Sequence, residues 1–175
     1  NNGLVLPPKI APIQAIVVPI AQHKPGVIEK AEEILARLKA AGIRAKGDFS
    51  ENSPGWKFAE YEMKGVPVRI EIGPKDIEAG HCVCVRRDSG EKTTVALGEL
   101  EQALPELLKN VQAGLYEKAK ANLREHTFTA STPEEVRELV EEKGGFVKTM
   151  WCGDEACELA MKEKAGVTSR CIPFE

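Results

Sequence analysis

The sequence contains no apolar run near the roughly 18 residues that a membrane-spanning helix needs, so no such span is expected. Nothing at its start has the build of a secretory signal. The chain opens Asn1-Asn2-Gly3 without methionine, as expected of a piece of a longer protein. It also lacks a surplus of positive charge: the formal net charge is −3, and between Trp56 and Lys92 seven Lys and Arg are matched by seven Asp and Glu. Proteins that coat nucleic acid indiscriminately carry a basic face, so that class is excluded and any RNA contact must be local and specific. The five cysteines (Cys82, Cys84, Cys152, Cys157, Cys171) are odd in number, and two of them alternate within one apolar strand. That is no secreted disulfide framework; a reducing cytoplasm is expected. His23, His81 and His126 are scattered without a partner at revealing spacing, so no nucleophile–base arrangement is visible.

What remains is ordinary for a soluble globular protein: 42% hydrophobic and 29% charged residues, in a chain long enough for one medium domain and a small one. Residues 1–12 carry three prolines and little periodicity, which reads as an extended linker. The first domain is expected over residues 13–126. AIVVPI (Ala15–Ile20) is the continuous apolar run of a buried parallel strand, with Pro19 suited to its end. Val27, Ala31, Ile34, Leu35 and Leu38 recur at helical spacing across Lys24–Ala41, and Gly42 stops that helix. A strand over Ile43–Phe49 completes a βαβ unit, which implies a parallel pairing. Ser53-Pro54 offers an N-cap and a first-turn proline for a short helix over Gly55–Met63.

Val66, Val68, Ile70 and Ile72 then alternate with Pro67, Arg69 and Glu71 as a half-buried strand, broken at Gly73-Pro74-Lys75-Asp76. His81–Arg87 is a second strand, with Cys82 and Cys84 read as buried small residues. Asp88-Ser89-Gly90 turns the chain into a hairpin partner over Lys92–Leu97. Leu100, Leu104, Leu107, Leu108, Val111, Leu115 and Ala119 share one face of a helix over Gly98–Glu125, with Pro105 expected in its first turn. Residues 127–175 repeat the alternation on a smaller scale, with strands over Thr127–Ala130, Phe146–Trp151 and Ser169–Phe174 and helices from Thr132 and over Asp154–Lys164. The fold class is therefore α/β: a mixed, mostly parallel five-stranded sheet with flanking helices, followed by a small α/β domain.

Charged side chains gather where the strands of Trp56–Asp88 stop, and binding residues collect on such loops over a rigid scaffold. SPGWKFAEYEMKGVPVRIEIGPKD at Ser53–Asp76, with VRRDSGEK at Val85–Lys92, resembles the anticodon-binding domain of prolyl-tRNA synthetases, in the form found in archaea, eukaryotes and some bacteria. GLVLPPKIAPIQ from Gly3 resembles the segment after the last active-site motif of that family. WCGDEACE at Trp151–Glu158 and SRCIPF at Ser169–Phe174 are similar to its C-terminal domain. The resemblance implies a class II synthetase that joins proline to its tRNA with ATP and magnesium. It also implies a cytoplasmic homodimer as the parent, and a segment here that lacks the catalytic motifs, so binds and does not catalyse.

Proline anticodons end in two guanines, whose Watson–Crick edges need a carboxylate facing N1–H and N2–H₂. Arg or Lys can donate to O6 or N7, and splayed bases stack on aromatic or guanidinium planes. On this resemblance Trp56 and Phe58 are candidates for stacking, Glu62 and Asp76 for accepting, and Arg69, Lys75 and Arg86 for donating; the positions matching Phe58, Glu62, Arg69, Lys75 and Asp76 belong to the family's anticodon-contacting surface. Without the resemblance the same residues read as a solvated sheet end laced with weak surface ion pairs. Gly73–Asp76 could then be a phosphate-binding turn, although it lacks the spacing of a Walker loop or dinucleotide fingerprint. Cys152 and Cys157 have a spacing allowed for zinc. Many members of the family hold zinc with this pair and a second, downstream pair that the sequence does not contain, so zinc is not the expectation here. The competing reading is a free-standing α/β module that binds a small ligand or a protein at its strand ends, with no RNA role.

Overall fold

The computed structural model describes residues 3–172. The chain divides after Tyr116 into two compact units, inside a long helix and not after it.

The first unit is built around β1 (Ala15–Pro19), buried along its whole length as its unbroken apolar sequence requires. It lies between β2 (Ala45–Gly47) and β3 (Val68–Ile72), parallel to both. β3 pairs antiparallel with β4 (His81–Arg86), and β4 antiparallel with β5 (Lys92–Ala96), in the order β2-β1-β3-β4-β5. The sheet is mixed as expected, but parallel pairings are half of the total and not most of it. The cause is connection length: the β3–β4 link is one short helix, α3 (Pro74–Glu78), and the β4–β5 link is a tight turn, and links so short can join only antiparallel neighbours.

Both faces of β1 are covered. Ala15 and Val17 point with Val68, Ile70, Ile72, Cys82, Cys84 and Val95 into the larger core, closed by Ile34 and Leu38 of α1 (Val27–Ala40) and by Leu100, Leu104 and Leu108 of α4 (Leu100–Glu125). Ile16 and Val18 point the other way, toward Tyr61 of α2 (Pro54–Met63) and Val66. Alternation along β3 places Arg69 and Glu71 on this second face, both half-buried, while their neighbours are fully buried. Helix α2 thus roofs β1 and leaves the same face of β3 and β4 partly open.

Residues 4–12 do not behave as a free linker. Leu4 and Leu6 donate from their backbone amides to the carbonyls of Met63 and Gly65, and the Arg44 guanidinium donates to the carbonyls of Pro8 (2.8 Å) and Ala11 (3.0 Å). Pro105 lies six residues into α4 and not in its first turn. The helix starts earlier than the proline suggests because Leu100 and Leu104 are both drawn into the core.

In the second unit, β6 (Thr127–Thr129) and β7 (Phe146–Lys148) pair in parallel. With α5 (Pro133–Lys143) and α6 (Glu155–Ala165) they enclose a small core of Ala130, Val136 and Ala165. The strand expected over Phe146–Trp151 ends at Lys148. Ser169 to Ile172 adopt no regular structure, and the rest of that expected last strand lies outside the described residues.

Gly145 is the tightest point of this unit. Its φ is +100°, and a Cβ there would stand 2.4 Å from the carbonyl oxygen of His126, which accepts the amide of Phe146 at 2.8 Å to open the β6–β7 pairing. Gly145→Ala therefore combines a left-handed backbone penalty of about 1–2 kcal/mol with a backbone clash that nothing flexible can absorb. The expected result is early melting of the second unit, read as lost hydrogen-exchange protection at the amide of Ala130, which donates to Lys148. Unchanged protection would contradict it.

Candidate nucleic-acid interface

Helix α2 begins at Ser53, whose hydroxyl accepts the amide of Trp56 at 3.4 Å, with Pro54 at the first helical position. This start carries Phe58 and Glu62 one turn apart on the side of the helix that overhangs β3. There they meet Arg69. Its guanidinium lies over the Phe58 ring, 3.8 Å from the centroid. Its Nη1 donates to Glu62 Oε1 at 2.9 Å, and its Nε donates to Glu71 Oε1, also at 2.9 Å. One cation is therefore stacked on an aromatic face and gripped at two edges by carboxylates, an arrangement that fixes a plane and not just a charge.

Beside this group runs an open cleft of about 310 Å³, at the lower end of the range for small-molecule sites. Glu62, Arg69 and Val85 line it from α2 and the sheet; Arg87, Asp88 and Ser89 line it from the β4–β5 turn. That turn is stiff. Arg86 makes a two-point pair with Asp88 at 3.0 and 2.8 Å and reaches Glu91 at 3.2 Å, which holds the guanidinium above its ordinary pKa, chiefly through the Asp88 hydrogen bond. Arg87 donates from its amide to the carbonyl of Pro67 and from Nε to the carbonyl of Glu62 at 3.3 Å, tying the turn to the end of α2.

Of the seven candidates, Phe58, Glu62 and Arg69 come together and Arg86 lines the same cleft. Trp56 is exposed on the first turn of α2 and is not part of the cleft wall. Lys75 and Asp76 sit at the other end of β3, on α3. Asp76 does not pair with Arg69. Its Oδ2 accepts the Gly73 amide at 2.8 Å and its Oδ1 lies 3.2 Å from His81 Nε2, because the chain coils into α3 directly after β3 and brings that carboxylate back over its own helix start. The acceptor-and-cation pocket is thus built from Glu62, with Asp76 in a separate group.

Sequence reading overlooked Glu71, although its position two residues after Arg69 places both on one strand face. It also passed over Lys57 and Tyr61, the two buried residues of α2. Cys152 and Cys157 are exposed. A backbone hydrogen bond at Asp154 and the Cys157 thiol hold Cys152 below the ordinary thiol pKa, and Cys157 is correspondingly raised. Among the described residues no group of three or more His, Cys, Asp or Glu stands close enough to hold a metal ion, and two thiols alone do not make a closed zinc site.

The pairing sets an order of mutational cost. Glu71 is 15% exposed at its side chain and Glu62 48%, so removing Arg69 strands a largely buried carboxylate, whereas removing Glu62 leaves Arg69 still held by Glu71. Arg69→Ala is expected to destabilise by about 1–3 kcal/mol and Glu62→Ala by less than about 1 kcal/mol in urea unfolding. Equal costs would contradict the geometry.

Residues 14–107 match the family described as anticodon binding domain, and residues 133–175 match the family described as prolyl-tRNA synthetase, C-terminal. The chain is 56% identical over 175 residues to a proline–tRNA ligase of Clostridium novyi (strain NT), covering 100% of this chain and 36% of that protein. It is 54% identical over 175 residues to proline–tRNA ligase 2 of Bacillus cereus (strain ATCC 14579), covering 100% of this chain and 37% of that one. A proline–tRNA ligase of Clostridium botulinum (strain Okra / Type B1) is likewise 54% identical over 175 residues, with 100% and 36% covered. The chain spans little more than a third of the length of these curated relatives. With more than half its residues inside the first match, the chain belongs to the anticodon binding domain family.

Proposed function

We propose that the first unit reads the anticodon of a proline tRNA on behalf of a proline–tRNA ligase. The observation that carries this is the fixed plane of Arg69, stacked on Phe58 and braced by Glu62 and Glu71 at the lip of a cleft on a half-covered sheet. A base splayed from the anticodon loop needs such a flat, preorganised partner, because every immobilised side chain subtracts from affinity. Glu62 gives its Oε1 to Arg69, on a side chain that is half exposed, and its other carboxylate oxygen is Oε2. That oxygen is the acceptor for guanine N1–H or N2–H₂. Lys75, exposed at the far end of β3, serves a second nucleotide as donor, with Asp76 holding the start of α3 beneath it, and Trp56 offers an exposed ring to the loop.

Joining proline to tRNA, with ATP and Mg²⁺, belongs to parts of such a ligase outside this segment. The segment binds. The setting implied by the resemblance comes with this reading: a homodimeric parent working in the cytoplasm. Among the described residues no helix is long and apolar enough to cross a membrane.

Titration with a proline tRNA anticodon stem-loop, and with loops in which either guanine is replaced, tests the proposal. A loss of roughly 1–3 kcal/mol is expected per wrong base. Equal binding to all loops would favour a module with no RNA role. Arg69→Lys keeps the charge and loses the plane, so it is expected to weaken the matched loop by about 1–3 kcal/mol while leaving binding to the substituted loops nearly unchanged. A uniform loss across all loops would assign Arg69 to phosphate contact instead.

A further inference from the structure

Helix α2 carries the proposed reader, yet it is fastened to the sheet by unusual means. Its two buried residues are Lys57, 1% exposed, and Tyr61; it has no buried aliphatic stripe. Lys57 Nζ donates to Gln22 Oε1 at 2.9 Å and to the carbonyl of Asp48 at 3.0 Å, and stands 3.9 Å from Asp48 Oδ1. The Asp48 carboxylate accepts the Ser50 amide at 3.0 Å and the Ser50 hydroxyl at 2.6 Å, and Tyr61, buried one turn along α2 from Lys57, has this carboxylate as its main charged neighbour. Gln22 closes the ring by donating to the carbonyl of Ser50 at 2.9 Å. Burial lowers the Lys57 pKa. Burial and the Asp48 carboxylate push Tyr61 up to about 12; at Asp48 burial is the largest influence and pushes upward, but the Ser50 bonds, the Lys57 charge and Tyr61 together hold the carboxyl below its usual range.

Lys57 and Tyr61 are four residues apart, and so are Phe58 and Glu62. The second pair follows the first by one residue, a rotation of about 100° around the helix. Whatever fixes the Lys57–Tyr61 stripe against the ends of β1 and β2 therefore fixes where the Phe58–Glu62 stripe meets Arg69. Apolar packing would tolerate rolling; a lysine that must find Gln22, the Asp48 carbonyl and the Asp48 carboxylate together does not. In some proteins a buried polar group fixes register without adding stability, as a single buried Asn does in coiled coils.

We infer that the Lys57–Asp48–Tyr61 cluster is a positioning device for base discrimination: it sets the roll of α2 that aims Phe58 and Glu62 at Arg69. This rests on the anticodon reading above and extends it to residues that touch no RNA.

The test compares Lys57→Met and Tyr61→Phe in the 175-residue chain, using the matched anticodon stem-loop and a loop with one guanine replaced, at a temperature where circular dichroism shows each variant folded. Tyr61→Phe removes one hydroxyl and keeps the ring, so it answers the question even if Lys57→Met fails to fold. The unmodified chain is expected to discriminate by about 5- to 150-fold. Each variant should lower that ratio by at least about threefold while binding the substituted loop as before, and the drop should vanish when Glu62→Gln is already present, since the cluster acts through that side chain. Unaltered discrimination in a folded variant, whatever its melting temperature, would make the cluster purely structural and overturn the inference alone. Absence of discrimination in the unmodified chain would take down the anticodon reading and this inference with it.

Discussion

Arg69 is the point at which helix α2, strand β3 and the cleft become one object. A guanidinium on a strand face opposite the core would ordinarily sweep a wide volume, with about 2 kcal/mol of rotamer entropy to lose on binding. Here Phe58 takes one face, Glu62 and Glu71 take two edges, and that freedom is already gone. The cost of ordering is met during folding, so a stacked base would meet a surface that does not need to rearrange. The strand alternation makes this possible. Val68, Ile70 and Ile72 hold β3 to the main core and leave Arg69 and Glu71 nothing to face but α2 and the cleft.

Electrostatics around the cleft are local. The cations Arg69 and Arg86 each face carboxylates within 3.2 Å, and the chain as a whole is mildly acidic. Such a surface offers little to a bare phosphate backbone and much to a specific donor–acceptor pattern, since nonspecific attachment relies on counterion release by unpaired basic groups. Discrimination by shape and hydrogen bonding is the mode this charge arrangement favours.

Much of this was legible in the amino-acid order. The unbroken AIVVP run gave a fully buried strand, and the Ser53-Pro54 start of α2 capped as its chemistry requires. The alternation around Arg69 and Glu71 placed both on the open face. The illegible parts had physical causes. Pro105 marks a helix start only if local backbone preference decides, and here the burial of Leu100 and Leu104 decided instead. Asp76 looked like a free acceptor because its own capping bond depends on α3, a five-residue helix too short to show a period. Lys57 reads as one more surface lysine between Trp56 and Phe58; its burial needs Gln22 and Asp48, brought from two loops that only the folded sheet juxtaposes.

The central claim is that Arg69 is held still before any RNA arrives. The side-chain Nε–H of Arg69, observed by ¹⁵N nuclear magnetic resonance, reports this directly. Protected by its bond to Glu71, it should give a single resonance that exchanges slowly with water in the free protein and shifts on addition of the matched stem-loop without broadening into several states. A resonance that exchanges as fast as an exposed arginine, or one that sharpens only when RNA is bound, would show that the plane forms on binding and would contradict the account.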